Sequence, residues 1–253
     1  MARIPVALQL YTVRDEAAKD FLGTLRKVAA IGYAGVEMAG VPPSLTARQL
    51  RQTLDDLGLR CAGTHNGLEQ LEQNLSKTVE ENLELGSRYV VISWIPDSMR
   101  ADEAACRETV RRLNALGKAL REHGLTLAYH NHDVEFRRVG GRYVLEILYD
   151  ETDPTLVKGE PDVYWIVRGG EDPAAWLRRY PGRCPLVHLK DMTPAPERGF
   201  AEIGEGTIDF APIFAACEAG GSEWYVVEQD RCARPSLESA ALSLQHLREW
   251  GIA

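Results

Sequence analysis

Four of the six histidines and a set of carboxylates stand at the downstream ends of short apolar runs, an arrangement that can hold a cation and move protons. In chain order these ends carry Gln9 and Tyr11, Glu37, His65, Trp94, His130 to Glu135, Glu160 and Asp162, His188 to Asp191, and Glu228 to Asp230. A single carboxylate in such a place is commonly a helix cap or an ion-pair partner. A single histidine such as His65 can equally be a hydrogen-bonded core residue. Strand phase separates the readings, because alternate residues of a strand share a face. Ala128, His130 and His132 point one way, as do Glu160 and Asp162, then Leu186, His188 and Lys190, then Val226 and Glu228 with Asp230 next in line. Asp162, His188 and Glu228 can therefore meet at one point. An imidazole and carboxylates without thiolate suit Mn²⁺, Mg²⁺, Co²⁺ or Zn²⁺ as a working ion rather than a structural zinc. Asp191 is read as a brace for Lys190 or the loop after it, and Glu205 and Asp209 as residues shaping that loop. His123 and His246 fall in helical segments and take no role.

Those positions require strands in register. Apolar runs at Ile4–Leu10, Tyr33–Met38, Leu59–Gly63, Tyr89–Ser93, Leu125–His130, Leu156–Asp162, Leu186–Lys190 and Trp224–Glu228 are bounded by turn formers and read as eight strands. Amphipathic segments fill the intervals: Asp20–Ile31, Thr46–Leu57, Leu68–Leu85, Asp102–His123, Tyr143–Tyr149, Asp172–Tyr180, Phe210–Ala219 and Leu237–Trp250. The first four are followed by a glycine, the residue that ends a helix in a left-handed turn at no Cβ cost. Eight strand–helix units in 253 residues predict a single (βα)8 TIM barrel over residues 1–253, with its chemistry at the carboxyl ends of the strands. An open doubly wound sheet would carry a glycine-rich turn after its first strand, whereas this turn reads Gln-Leu-Tyr-Thr-Val-Arg from Gln9 to Arg14. Pro194–Gly206 reads as a long loop after strand seven.

A net charge of −8, with no long run of Lys and Arg, argues against nucleic acid as a partner and leaves room for one small basic pocket. The five cysteines are scattered without a Cys-x-x-Cys pair, which fits reduced thiols and a cytoplasmic location. No apolar run approaches the ~20 residues needed to cross a bilayer, and the N-terminal segment has no signal-peptide core.

The segments Leu8–Arg14, Ala128–Phe136 (Ala-Tyr-His-Asn-His-Asp-Val-Glu-Phe), Asp162–Trp165, His188–Asp191, Gly204–Asp209 and Val227–Asp230 together resemble the sugar phosphate isomerase/epimerase family of xylose isomerase-like TIM barrels, in its Tyr-His-Asn-His branch near inosose dehydratase-like proteins. The resemblance spans the chain in order. It implies a divalent metal held by Asp162, His188 and Glu228, with a fourth ligand from strand five. Relatives often have a glutamate where this chain has His130, and His132 and Glu135 stand nearby; Glu135 is taken as the carboxylate ligand, with His130 and His132 lining the substrate site. It further implies a small carbohydrate substrate contacted by Gln9, Tyr11, Glu37, His65, Trp94, His132 and Lys190, with Tyr11 and Trp94 offering apolar faces to a sugar ring. The implied reaction is isomerisation or epimerisation of a keto-sugar through an enediolate. Glu228 would take the proton, Glu135 or a strand-five histidine (His130 or His132) would return it on the other face, and Lys190 and His65 would hold hydroxyl or oxyanion groups. Loss of a β-hydroxyl from the same enediolate, a dehydratase or lyase reaction on an inosose or keto-glycoside, is the alternative. An endonuclease IV-type repair enzyme is disfavoured by the acidity and by too few ligands for three metals, and a barrel that only binds sugar by the full ligand set. Barrels of this family often pair, so a homodimer is a further expectation.

Overall fold

The structure, a computed structural model, describes residues 3–42 and 44–253. Met1 and Ala2, the start of the segment read for a leader, lie outside the described residues, as does Pro43. Eight parallel strands form one sheet: β1 (Val6–Gln9), β2 (Gly35–Met38), β3 (Arg60–Gly67), β4 (Tyr89–Trp94), β5 (Thr126–His130), β6 (Val157–Glu160), β7 (Leu186–Leu189) and β8 (Trp224–Val227). Their order runs β6-β5-β4-β3-β2-β1-β8-β7. The last seam, between β6 and β7, closes through one bridge, Asp162 to His188, with His188 N donating to Pro161 O at 2.9 Å and Gly159 N to Arg183 O at 2.8 Å. The expected (βα)8 barrel is therefore what the chain forms, and the bridge at this seam sets two site residues side by side.

Period-2 alternation sorts the strand residues into two cores. Outward residues such as Leu8, Val36, Ile92, Leu127, Val187 and Val227 pack under the helices. Each fully buried aliphatic side chain there contributes about 1.5–3 kcal/mol relative to leaving it in water. Inward residues form a smaller plug of Ala7, Ala62, Tyr89, Val91, Ala128, Leu186, Trp224 and Val226. Tyr89 and Trp224 stand at the amino-terminal starts of their strands, and the small Ala7 and Ala128 leave space beneath the polar residues one step further along β1 and β5.

The principal outer helices are α1 (Phe21–Ile31), α2 (Ala47–Asp56), α3 (Leu75–Leu85), α4 (Glu103–Arg121), α5 (Val144–Glu151), α6 (Pro173–Arg179), α7 (Ala211–Gly220) and α8 (Ser236–Glu249). Asp20, Thr46, Asp102 and Asp172 cap the starts of α1, α2, α4 and α6 by accepting backbone N–H groups, and Gly32 ends α1 at φ 102°. The segment expected as one helix, Leu68–Leu85, is two: Leu68–Gln73 and α3. They break at Asn74, whose side chain donates to Gln70 O at 3.0 Å and so competes with the helical backbone. The expected loop Pro194–Gly206 supplies one strand, Phe200–Ala201, of a two-stranded ribbon whose other strand, Asp191–Met192, directly precedes it. Among the described residues no helix is long and apolar enough to cross a membrane.

Candidate metal centre

The barrel brings most of the strand-end residues to one place. His130 ends β5, Asp162 follows β6, His188 lies in β7, and Glu228 follows β8. Each presents one ligand atom, and all four atoms lie within 4.8 Å of one another; the same holds for His65, His130, Glu160 and His188. The two groups share His130 and His188 and so form one cluster, buried except for the half-buried His65. Glu37 joins it: its Oε2 lies 2.7 Å from His188 Nε2, 3.0 Å from His65 Nε2 and 2.7 Å from Gln9 Nε2. Gly63 makes the room, since a Cβ there would stand 2.7 Å from Glu37 Oε1.

Ion pairs tie the cluster together. His188 Nδ1 is 3.0 Å from Glu228 Oε2, and His65 Nε2 is 2.9 Å from Glu160 Oε2. Lys190 Nζ reaches Glu228 at 2.7 Å, Asp230 at 2.8 Å and Asp162 at 2.9 Å. Burial alone would raise the Glu228 carboxyl, but the Lys190 ammonium and the His188 ring hold it well below the ordinary carboxylate range. Glu37 is held down in the same way by His65 and His188 against its burial. Burial and the neighbouring Glu37 charge push Glu160 up to about 8, and burial raises Asp162 to about 6 against the pull of Lys190. His65, despite burial, is raised to about 10 by Glu37 and Glu160. His188 is raised by Glu160 and Glu37, again against its burial. Burial lowers His132 to about 3 and His130 well below its ordinary value, so both rings stay neutral.

These residues fit a divalent cation. Glu37 Oε1, Glu160 Oε1, Asp162 Oδ2 and His130 Nδ1 are buried without a hydrogen-bond partner; Asp162 Oδ2 meets Lys190 Nζ without hydrogen-bond geometry. Four buried polar atoms without a hydrogen bond in one cluster are costly unless a ligand satisfies them, although Lys190 already stands 2.9 Å from Asp162 Oδ2, and the donors are the imidazole and carboxylate groups that borderline and hard divalent ions take.

Protein stripped of metal should carry a signature of this charge pattern. From about pH 7 to about pH 8.5, His65 and His188 keep protons in the fold that the unfolded chain, with an ordinary value of 6.5, has largely released, and Glu160, raised to about 8 from 4.5, keeps its proton through the lower part of that window. The native state binds more protons, so stability falls as pH rises through this window. His130 and His132 are neutral in both states there and add nothing. Urea unfolding of chelator-treated protein at the two pH values checks this, and stability that rises with pH would overturn the charge pattern.

Not every expected residue arrives. Glu135, taken as the strand-five carboxylate ligand, lies outside the cluster in the 3-10 turn Asp133–Phe136. Its Oε1 accepts from Arg100 Nη1 and Tyr129 OH at 3.1 Å each, and its Oε2 from His132 N at 2.7 Å. Strand five instead offers His130. Gln9 and Glu37 are fully buried in the floor rather than exposed to a substrate. A cavity of about 380 Å³ opens above, lined by Tyr11, His65, Trp94, His130, His132, Glu228 and others. Glu160 shares a face with Asp162 but takes no role in the sequence reading, and Asn131, which accepts from Asp162 N at 3.2 Å, enters that reading only as part of the Tyr-His-Asn-His segment. Asp191 accepts from the N–H groups of Met192, Gly204, Gly206 and Ile208 and so braces the loop, as expected.

Eight βα units around an imidazole–carboxylate centre at the strand ends define a barrel enzyme of the xylose isomerase type. The chain belongs to the family of xylose isomerase-like TIM barrels, which it matches over residues 25–250. An inosose dehydratase of Clostridium tetani (strain Massachusetts / E88) is 28% identical to it, over 92% of this chain and 90% of that protein. The crystal structure of a sugar phosphate isomerase/epimerase from Parabacteroides distasonis ATCC 8503 superposes with a TM-score of 0.85 at 26% identity, covering 98% of this chain and 94% of that one. The fold also matches the IOLI protein, whose structure has a bound zinc atom, with a TM-score of 0.78 at 15% identity and 97% of each chain covered.

Proposed function

We propose that this barrel is a metal-dependent carbon–oxygen lyase that removes water from a keto-polyol of the inosose kind. The observation that carries the reading is the composition of the cavity walls. Its two carboxylates, Glu228 and Asp230, leave the same strand and share Lys190, while the facing residues His65, His130 and His132 supply no carboxylate. Proton exchange between two carboxylates on opposite faces of a substrate, as an epimerase would use, lacks its second member because Glu135 is turned onto Arg100. An ionised Glu228 and a protonated His65 are instead a base and an acid in one cavity.

His130, Asp162, His188 and Glu228 would hold the cation, which supplies Lewis-acid polarisation of a substrate carbonyl. Glu228 accepts the proton from the carbon beside that carbonyl, and the C–H electron pair becomes the enolate. The enolate then expels the β-hydroxyl as its C–O bond breaks and a C=C bond forms. His65 protonates the departing oxygen, so water leaves, and both residues return to their starting states by exchange with solvent. Tyr11 and Trp94, 43% and 58% exposed at the cavity rim, offer flat apolar faces to a polyol ring. Isomerisation or epimerisation is the second reading, favoured by the similarity to the Parabacteroides structure.

The test is a panel of inososes and keto-sugars in D₂O with Mn²⁺, Co²⁺, Zn²⁺ or Mg²⁺, followed by mass spectrometry and ultraviolet absorbance. Loss of one water with a new conjugated enone, abolished by chelation, is expected. Deuterium incorporation or an epimer without loss of water would replace this reading by the isomerase. Neither change with any metal would remove both.

A further inference from the structure

Beside the metal centre lies a second cavity, of about 770 Å³, between the short helix Val163–Arg168, the ribbon loop after β7 and the segment after β8. It shares Tyr11 and Asp230 with the cavity above the metal cluster, so the two are neighbouring compartments of one cleft. In a chain of net charge −8 its walls carry four arginines, Arg14, Arg168, Arg198 and Arg231, against the carboxylates Glu197 and Asp230, and Asp230 already binds Lys190.

These arginines are held with donors to spare. Arg14 gives one N–H each to Tyr11 O and Asp230 O, at 2.7 and 2.8 Å. Arg198 donates to Val167 O at 2.7 Å, while its carbonyl accepts from Tyr164 OH and Arg168 Nη1. Its backbone lies at φ 46°, the single positive φ among the described non-glycine residues, and its Nε lies 3.4 Å from Met192 Sδ. Arg231 makes no side-chain hydrogen bond or ion pair with the described residues. Arg14 and Arg198 likewise have no carboxylate within 4.0 Å among them, and Arg168 meets only Asp133, at 3.4 Å. Each guanidinium offers five N–H donors, so this wall holds many more than its internal bonds consume. Trp165, which lines the same cavity, also has an unpartnered indole N–H.

We propose that this compartment is an anion subsite of the same active site, so that the substrate is a polyol bearing a phosphate or a carboxylate group at the end away from the reacting carbonyl. Planar guanidinium forks match both oxyanions, and several unneutralised arginines at the edge of a cleft select the anion over neutral analogues. The inference rests on the cavity above the metal cluster being the substrate site.

The metal-loaded protein is titrated calorimetrically with inorganic phosphate and, separately, with acetate. Saturable binding of one or both is expected, with the preferred anion naming the substrate's charged group. Arg231→Gln, whose side chain has no partner to lose, and Arg168→Gln should each weaken it about tenfold, the worth of one charge-assisted hydrogen bond. Glu228→Gln should leave it intact. Absence of saturable binding overturns the subsite, as does binding that ignores both arginine substitutions and disappears in His188→Ala. The panel of polyols separates this from the main reading. If neutral polyols are dehydrated with a KM unchanged by Arg231→Gln, the subsite fails and the lyase stands. If arginine-dependent anion binding persists while no polyol reacts, the subsite stands and the lyase fails.

Discussion

Glu228→Gln is expected to lower kcat by about 10²- to 10⁴-fold, the usual worth of a positioned general base, while the barrel stays folded. The fold survives because the neighbours keep other partners. Lys190 retains Asp162 and Asp230, and His188 retains the 2.7 Å contact to Glu37. Glutamine is isosteric but cannot accept the substrate proton, so solvent-deuterium exchange at the carbon beside the carbonyl should fall with kcat even at saturating metal. The pH dependence separates base from acid. Glu228 is held ionised well below neutral pH, so its titration lies below the working range. His65 must be protonated to give up its proton, and with its value raised to about 10 the rate should decline as pH climbs through that region. Exchange that survives undiminished in Glu228→Gln would assign the base elsewhere. A rate that rises through the same alkaline range would remove His65 as the acid.

The fold was legible because its signal is repetitive. Eight short apolar runs separated by amphipathic stretches leave few architectures open, and the period-2 phase of Glu160–Asp162, His188–Lys190 and Val226–Glu228 carried the site as far as the strand geometry itself extends. It ran out where the backbone leaves the strand. After His130 the chain enters a tight turn, alternation no longer predicts direction, and Glu135 rotates away from the axis. Its partner Arg100 stands 35 residues earlier in a different turn, a pairing that no local pattern encodes. Glu160 was visible on the inner face with Asp162, yet its contact with His65 spans 95 residues and exists only once the barrel closes. The arginine wall was equally hidden, because Arg14, Arg168, Arg198 and Arg231 come from four separate loops or helix ends and never form a run.

The placement of Glu135 predicts a large effect on stability and little on metal. Arg100 and Glu135 have side chains only 6% and 2% exposed, 3.1 Å apart, and burial raises the Glu135 carboxyl above its ordinary value against the pull of His132 N–H and Arg100. Removing one member leaves the other charge buried without its counter-ion, so Arg100→Met should cost about 3–5 kcal/mol of unfolding free energy. Arg100 also holds Ile95 O at 2.7 Å, which places the effect toward the upper end. The double variant Arg100→Met/Glu135→Leu should recover part of the loss, since it removes the unpaired buried charge, while Ile95 O, Tyr129 OH and His132 N–H still lose their partners. Unfolding by urea measures both. The decisive readout is metal content in the refolded double variant. Wild-type stoichiometry there assigns Glu135 to the scaffold and leaves strand five's ligand as His130, whereas a folded but metal-depleted double variant would return Glu135 to the metal. His130→Ala completes the comparison, with metal affinity expected to fall by about tenfold or more while the Arg100–Glu135 pair and its stability contribution remain.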